Sequence, residues 1–221
     1  MIAIINYGLG NIKAFGNVYN KLNIPFSIAT KSEDLKNATK IILPGVGDFD
    51  WAMERLEKSG MRETLDELVL ERHLPVLGIC VGMQILAKSS EEGNLPGLGW
   101  IDAKVKKFDT ALFKQKTKIP HMGWNDVKPV KNSGLFKDLE TNALFYFLHS
   151  YYFECHKNED VLAVADYGGR FTCAAKAENI YGVQFHPEKS HQYGIQLLNN
   201  FANLTNNNAA TENNTLSISQ R

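Results

Sequence analysis

Cys80 sits in Gly78-Ile79-Cys80-Val81-Gly82, where the apolar run "PVLGI" meets the helix-like "VGMQILAKS". A thiol at a strand-turn-helix junction, with a glycine two places away on each side, fits a nucleophile elbow with Cys in place of Ser. The sharp turn brings the flanking residues together, and glycine avoids their clash. The spacing predicts a helix starting at the nucleophile. Its N-terminal amides would favour the thiolate, and the Val81 N–H would face a developing oxyanion. A small buried cysteine packed between two elements fits the same pentapeptide. The five residues alone leave both readings open.

A thiol nucleophile needs a base. Of the six histidines, His186 in "QFHPEKS" stands out. Pro187 keeps His186 out of the α region, and in an extended segment His186 and Glu188 share one side. Glu188 would then hold the imidazole tautomer, as the carboxylate of a triad does. The apolar run "YGVQF" would deliver this segment to a strand's C-terminal end, where ligand sites of α/β sheets lie. A solvated loop ahead of the last helix is the competing reading. Cys155 and Cys173 lack an elbow and read as packing residues.

These residues need a scaffold. Residues 1–90 alternate strand-like segments ("IAIIN", "PFSIA", "KIILPG", "PVLGI") with helical ones. The helical segments are "IKAFGNVYNKLN" capped by Asn11, "SEDLKNA" capped by its Ser, "DFDWAMERLEKSG", "MRETLDELVLERH" and "VGMQILAKS". Such alternation predicts an α/β fold with a mostly parallel sheet covered on both faces. From Gly97 onward strand-like runs, among them "WIDAKVKKF" and "ALFYFLHSYYFE", predict antiparallel additions. A last helix, "SHQYGIQLLNNFANL", takes Ser190 as its cap. One domain is expected over residues 1–204, with the polar, Asn-rich 205–221 a disordered tail.

Lys plus Arg and Asp plus Glu each number 24 in the 221 residues, so net charge is zero. That argues against nucleic acid or an anionic membrane as partner. No apolar run approaches the ~18 residues of a membrane span, and the first residues lack a basic targeting region. Three cysteines, an odd count, fit free thiols in a reducing cytoplasm.

"GICVGMQ" and "QFHPEKS" together are similar to the class I glutamine amidotransferases. Four further motifs, "NYGLGN" (6–11), "LPGVGDF" (43–49), "PHMGWN" (120–125) and "LHSYY" (148–152), narrow the likeness. Over essentially all of residues 1–204 the chain resembles the glutaminase subunits of imidazole glycerol phosphate synthase. The resemblance implies that Cys80 attacks the side-chain amide of glutamine, His186 moves the proton and Glu188 orients His186. It implies an oxyanion site from Val46, Gly47 and Val81. Gln84, Glu92, His149, Ser150 and Tyr151 would hold the substrate, with no cofactor and no metal. Asn11, His121, Met122, Trp124, Asn125 and Lys189 would lie toward a partner, a (β/α)₈-barrel cyclase that receives the ammonia in a heterodimer. Trp124 reads equally as a core aromatic.

Ala14 stands where the family usually has Ser, and Val81 where it has Leu. Neither change removes a catalytic group. Both resemble a paralogous branch that supplies ammonia to a sugar amidotransferase. A partner-independent cysteine hydrolase and a catalytically silent interaction protein are the remaining alternatives, and the intact triad speaks against the second.

Overall fold

The computed structural model describes residues 1–113 and 118–205. The chain runs β1 (Ile2–Ile5), α1 (Ile12–Lys21), β2 (Phe26–Ala29), β3 (Lys40–Gly45), α2 (Phe49–Lys58), α3 (Arg62–Asp66), β4 (Val76–Cys80) and α4 (Val81–Gln84). It continues as β5 (Ser89–Ser90), β6 (Ala103–Lys107), β7 (His121–Asp126), β8 (Lys128–Pro129), β9 (Leu144–His149) and β10 (Tyr151–Cys155). Then follow β11 (Val161–Asp166), β12 (Arg170–Ala177), β13 (Ile180–Val183) and α5 (His191–Ala202).

Among the described residues the strands form an eleven-stranded sheet ordered β2-β1-β3-β4-β13-β12-β10-β6-β5, with β11 and β8 branching from β12, and a separate pair, β7-β9. β2, β1, β3, β4 and β13 are mutually parallel, and β12, β10 and β6 follow antiparallel. β1, β4 and β13 are buried at every residue, as strands covered on both faces must be. α2 shows why the helices form. Asp48 Oδ1 caps it by accepting from Trp51 N–H at 2.8 Å. Phe49, Ala52, Met53 and Leu56 recur at helical spacing on its buried face, and the larger of these contribute about 1.5–3 kcal/mol each by burial.

Several local expectations give way. The helix after Cys80 is a single turn, because the segment 97–101 claims the next carbonyls. Leu98, Ile101 and Gly99 N–H groups donate to the oxygens of Ile85 (2.7 Å), Leu86 (3.0 Å) and Ala87 (3.1 Å). "MRETLDELVLERH" is helical but shifts into a π turn at Glu67–Glu71. Ser32 lies inside a 3₁₀ turn rather than capping it, and its hydroxyl donates to Gly60 O at 2.8 Å. Asp34 holds that turn by accepting from the Thr30 and Lys31 amides. Ser190 stands at the N-cap position of α5 as expected, but its hydroxyl makes no cap bond, since it donates to His186 O at 2.6 Å and accepts from Tyr146 N–H at 3.0 Å. "ALFYFLHSYYFE" breaks at Ser150 into β9 and β10, which belong to different sheets. No helix among the described residues is long and apolar enough to cross a membrane. The tail expected to be disordered lies, beyond Thr205, outside the described residues.

Gly82 is required by contact. A Cβ there would stand 1.9 Å from the carbonyl oxygen of Leu43, which is backbone and cannot move aside cheaply. Gly82→Ala is expected to destabilise the protein by about 1–3 kcal/mol or more. Gly169→Ala, where a Cβ meets nothing within 4 Å, should stay within about 0.5 kcal/mol. Chemical denaturation midpoints check both, and equal midpoints would refute the contact account.

Candidate active site

Three parallel strand ends make the site. In the β3–β4 register Gly45 stands opposite Cys80, and in the β13–β4 register Val183 stands opposite Ile79. The chain leaving β3 is therefore Val46-Gly47, and the chain leaving β13 is Gln184-Phe185-His186. Cys80 lies between them, 4 % exposed, at φ 56° and ψ −114°. A residue with a side chain rarely adopts that backbone, and holding one there costs about 1–3 kcal/mol. The surrounding sheet supplies the constraint. α4 starts at Val81, directly after the thiol, and is one turn long; the ionisable group that answers the thiol is His186.

His186 is extended, at φ −104° and ψ 93°. Its N–H donates to Tyr146 O at 2.8 Å, which ties it to β9. Its Nδ1 lies 2.9 Å from Glu188 Oε1, and both side chains are buried. The pair meets not along an extended run but because Pro187–Lys189 form a 3₁₀ turn that folds Glu188 back. Burial works against charge on His186. Hydrogen bonding to Cys80 and to Glu188 outweighs it, and the ring is pushed up to about 10. With Nδ1–H committed to Glu188, Nε2 is left to serve Cys80. Burial pushes the other two thiols up, Cys155 to about 12, so neither competes as a nucleophile.

A cavity of about 320 Å³ opens on Cys80 and His186, at the small end of ligand pockets. Cys80 and His186 line it together with Val46, Gly47 and Val81 from the oxyanion set, and with Gln84, Glu92, His149, Ser150 and Tyr151 from the substrate set. Gly47 has φ 95°, the left-handed region that glycine occupies without steric cost. The Val46–Gly47 peptide is therefore free to aim its N–H. Glu92 is half-buried; burial raises its pKa, and its Oε2 accepts from Phe49 N–H at 2.9 Å. Lys189 also reaches the cavity mouth, its Nζ 5.7 Å from the Tyr146 ring centre.

The six residues expected toward a partner divide. Met122, Trp124, Lys189 and Asn11 are exposed, and Asn11 also caps α1 by accepting from Ala14 N–H at 3.3 Å. Trp124 stacks on His191 at 5.2 Å and 5° rather than entering the core. His121 is buried and Asn125 half-buried, both on the inner face of β7.

Two residues were not anticipated. Gln184 is fully buried, its Oε1 accepts from Gln84 Nε2 at 3.1 Å, and its Nε2 lies 3.9 Å from Cys80 Sγ. The signal was a polar residue two places before His186 in an apolar strand, hence on the same face. The Tyr7 hydroxyl donates to Pro44 O at 2.8 Å and anchors the strand that leads to Val46. Nothing in "NYGLGN" itself pointed across to β3.

The class-I glutamine amidotransferase family model matches residues 5–204. Imidazole glycerol phosphate synthase subunit HisH of Bdellovibrio bacteriovorus is 59 % identical over 204 residues, 92 % of this chain and 100 % of that protein. The protein of that name from Leptospira interrogans is 54 % identical over the same shares. Among solved structures, PurLQS from Thermotoga maritima superposes with TM-score 0.67 at 16 % identity, covering 91 % of this chain and 97 % of that one. A glutamine amidotransferase from the same organism gives 0.59 at 18 %, covering 85 % of this chain and 75 % of that one. At those identities the structures show a shared fold.

Proposed function

Because this chain belongs to the class I glutamine amidotransferases, and within them to the HisH subunits of imidazole glycerol phosphate synthase, we propose that its cavity receives glutamine and that Cys80 attacks the side-chain amide. The observation that carries this is that Cys80 and His186 line one cavity of amino-acid size, with Glu188 held against His186 Nδ1 behind it. The thiol gives its proton to His186 as the sulfur adds to the amide carbon, and the oxygen that becomes negative is met by N–H groups of Val81 and of the Val46–Gly47 segment. His186 gives its proton to the departing nitrogen, so ammonia leaves and a thioester remains. His186 then takes a proton from water, hydroxide displaces the sulfur, and glutamate departs. Glu188 acts through His186 by holding Nδ1–H. Gln84, Glu92 and the Ser150–Tyr151 backbone hold the substrate's far end.

Ammonia released into water would be protonated and lose its nucleophilicity, so a partner must shelter it. The exposed Met122 and Trp124 lie on β7, whose paired strand β9 carries Leu148 to the cavity, and are apolar surface suited to that partner. We take it to be a (β/α)₈-barrel cyclase that makes imidazole glycerol phosphate in histidine biosynthesis. Residues 1–204 form the glutaminase domain in this reading, and three free cysteines fit a cytoplasmic setting.

Glutamate release is expected to rise on adding the cognate cyclase. The gene should also restore growth without histidine to a strain lacking its own glutaminase. High activity of the isolated chain with no rise would favour a partner-independent hydrolase. Activity without complementation would move the ammonia to another acceptor.

A further inference from the structure

β7 has two faces. Met122, Trp124 and Asp126 point outward, whereas His121 is 2 % exposed beneath them with Asn125 beside it. The His121 ring is held between those of Tyr167 (centroids 3.9 Å apart, 23°) and Phe147 (4.6 Å, 21°). Its Nδ1 lies 2.9 Å from His149 Nε2, and His149 Nδ1 lies 2.8 Å from the Tyr151 carbonyl oxygen. At the other end Asn125 Nδ2 lies 3.3 Å from His121 Nε2 and 2.8 Å from Asp166 O.

These contacts place every proton. A carbonyl only accepts, so His149 carries its hydrogen on Nδ1. Both rings are neutral, since burial pushes His121 down to about 4 and His149 to about 3. His149 Nε2 is therefore bare and accepts from His121 Nδ1–H. His121 Nε2 is bare in turn and accepts from the Asn125 amide. Asn125 cannot be reversed, because its nitrogen faces two acceptors while its oxygen accepts from Asp126 N–H at 2.9 Å. The chain of donors ends on the Tyr151 carbonyl, which also accepts from Gln84 Nε2 at 3.2 Å. Tyr151, Ser150, His149 and Gln84 all line the cavity.

We propose that His121 and His149 are positioning residues: a hydrogen-bonded imidazole pair that fixes the Ser150–Tyr151 turn and, through the Tyr151 carbonyl, the Gln84 amide for glutamine. The pair also ties this end of the cavity to the strand that presents Met122 and Trp124. The role rests on the glutaminase reading above. Removing the His121 donor leaves His149 Nε2 buried without a partner, and the turn loses its reference to β7.

The test is glutamine hydrolysis by the full chain assembled with its cyclase. His121→Leu keeps bulk and removes the donor, while His121→Asn keeps an N–H near the Nδ1 position. KM for glutamine should rise about tenfold in the Leu variant with kcat within about threefold, and the Asn variant should recover most of the KM. An unchanged KM in His121→Leu, or no recovery in His121→Asn, overturns the proposal. Should the Leu variant not fold, ¹⁵N spectra of the wild-type imidazoles at pH 7 decide. Both rings must be Nδ1–H tautomers, and an Nε2–H or charged ring at either position overturns the pair. A wild-type complex with no Cys80-dependent glutamate release would instead overturn the glutaminase reading, and the tautomers would still be measurable.

Discussion

Cys80→Ala is expected to abolish glutamate release, a loss of about 10⁴-fold or more, because the covalent step has no substitute nucleophile. Cys155, half-buried, and Cys173, buried, lie in other strands with their thiols held protonated, so no residual activity should come from them. The same position allows a second reading. At φ 56° and ψ −114° Cys80 sits where any Cβ is strained. In ordinary helix or strand interiors Ala is more stable than Gly by roughly 0.5–1 kcal/mol. Here the order should invert, with Cys80→Gly more stable than Cys80→Ala by about 1 kcal/mol, since only glycine escapes the strain. Urea unfolding of the two inactive variants measures it. Ala equal to or above Gly would mean that the turn stores no strain for the nucleophile.

Glu188→Gln should lower kcat/KM by about 10²–10⁴-fold with little change in fold, since an amide keeps the shape and not the charge. Loss of packing alone could not move a pH profile, but this substitution should. His186 is raised to about 10 against burial by Cys80 and Glu188 together. A raised imidazole is charged below its pKa and loses the proton as pH climbs through it. Withdrawing the carboxylate removes one of the two supports, so the alkaline limb of kcat/KM must move to lower pH. A limb that stays in place, or moves up, would deny Glu188 its role on His186.

The triad was legible because its signals are local. A strand, a tight turn and two flanking glycines mark Cys80 within five residues, and a proline marks His186 as extended. The central sheet was legible for the same reason, since strands buried on both faces read as unbroken apolar runs. The one-turn α4 was not, because its carbonyls are taken by residues 97–101, a competition that no periodicity shows. Gln184 and the inward turn of His121 were missed because each depends on which strand lies next door.

The sequence by itself thus determined the kinds of group present, the strand ends that carry them and the reaction class they fit. Only the tertiary structure decided that β4 lies between β3 and β13, which sets the thiol beside both its base and its oxyanion strand. It also decided that β7 pairs with β9 residue for residue, His121 opposite His149, so that two distant motifs share one proton order. Side-chain type is written in each residue, but adjacency is set by backbone hydrogen bonds between segments far apart in the chain. Those form only when the whole sheet does.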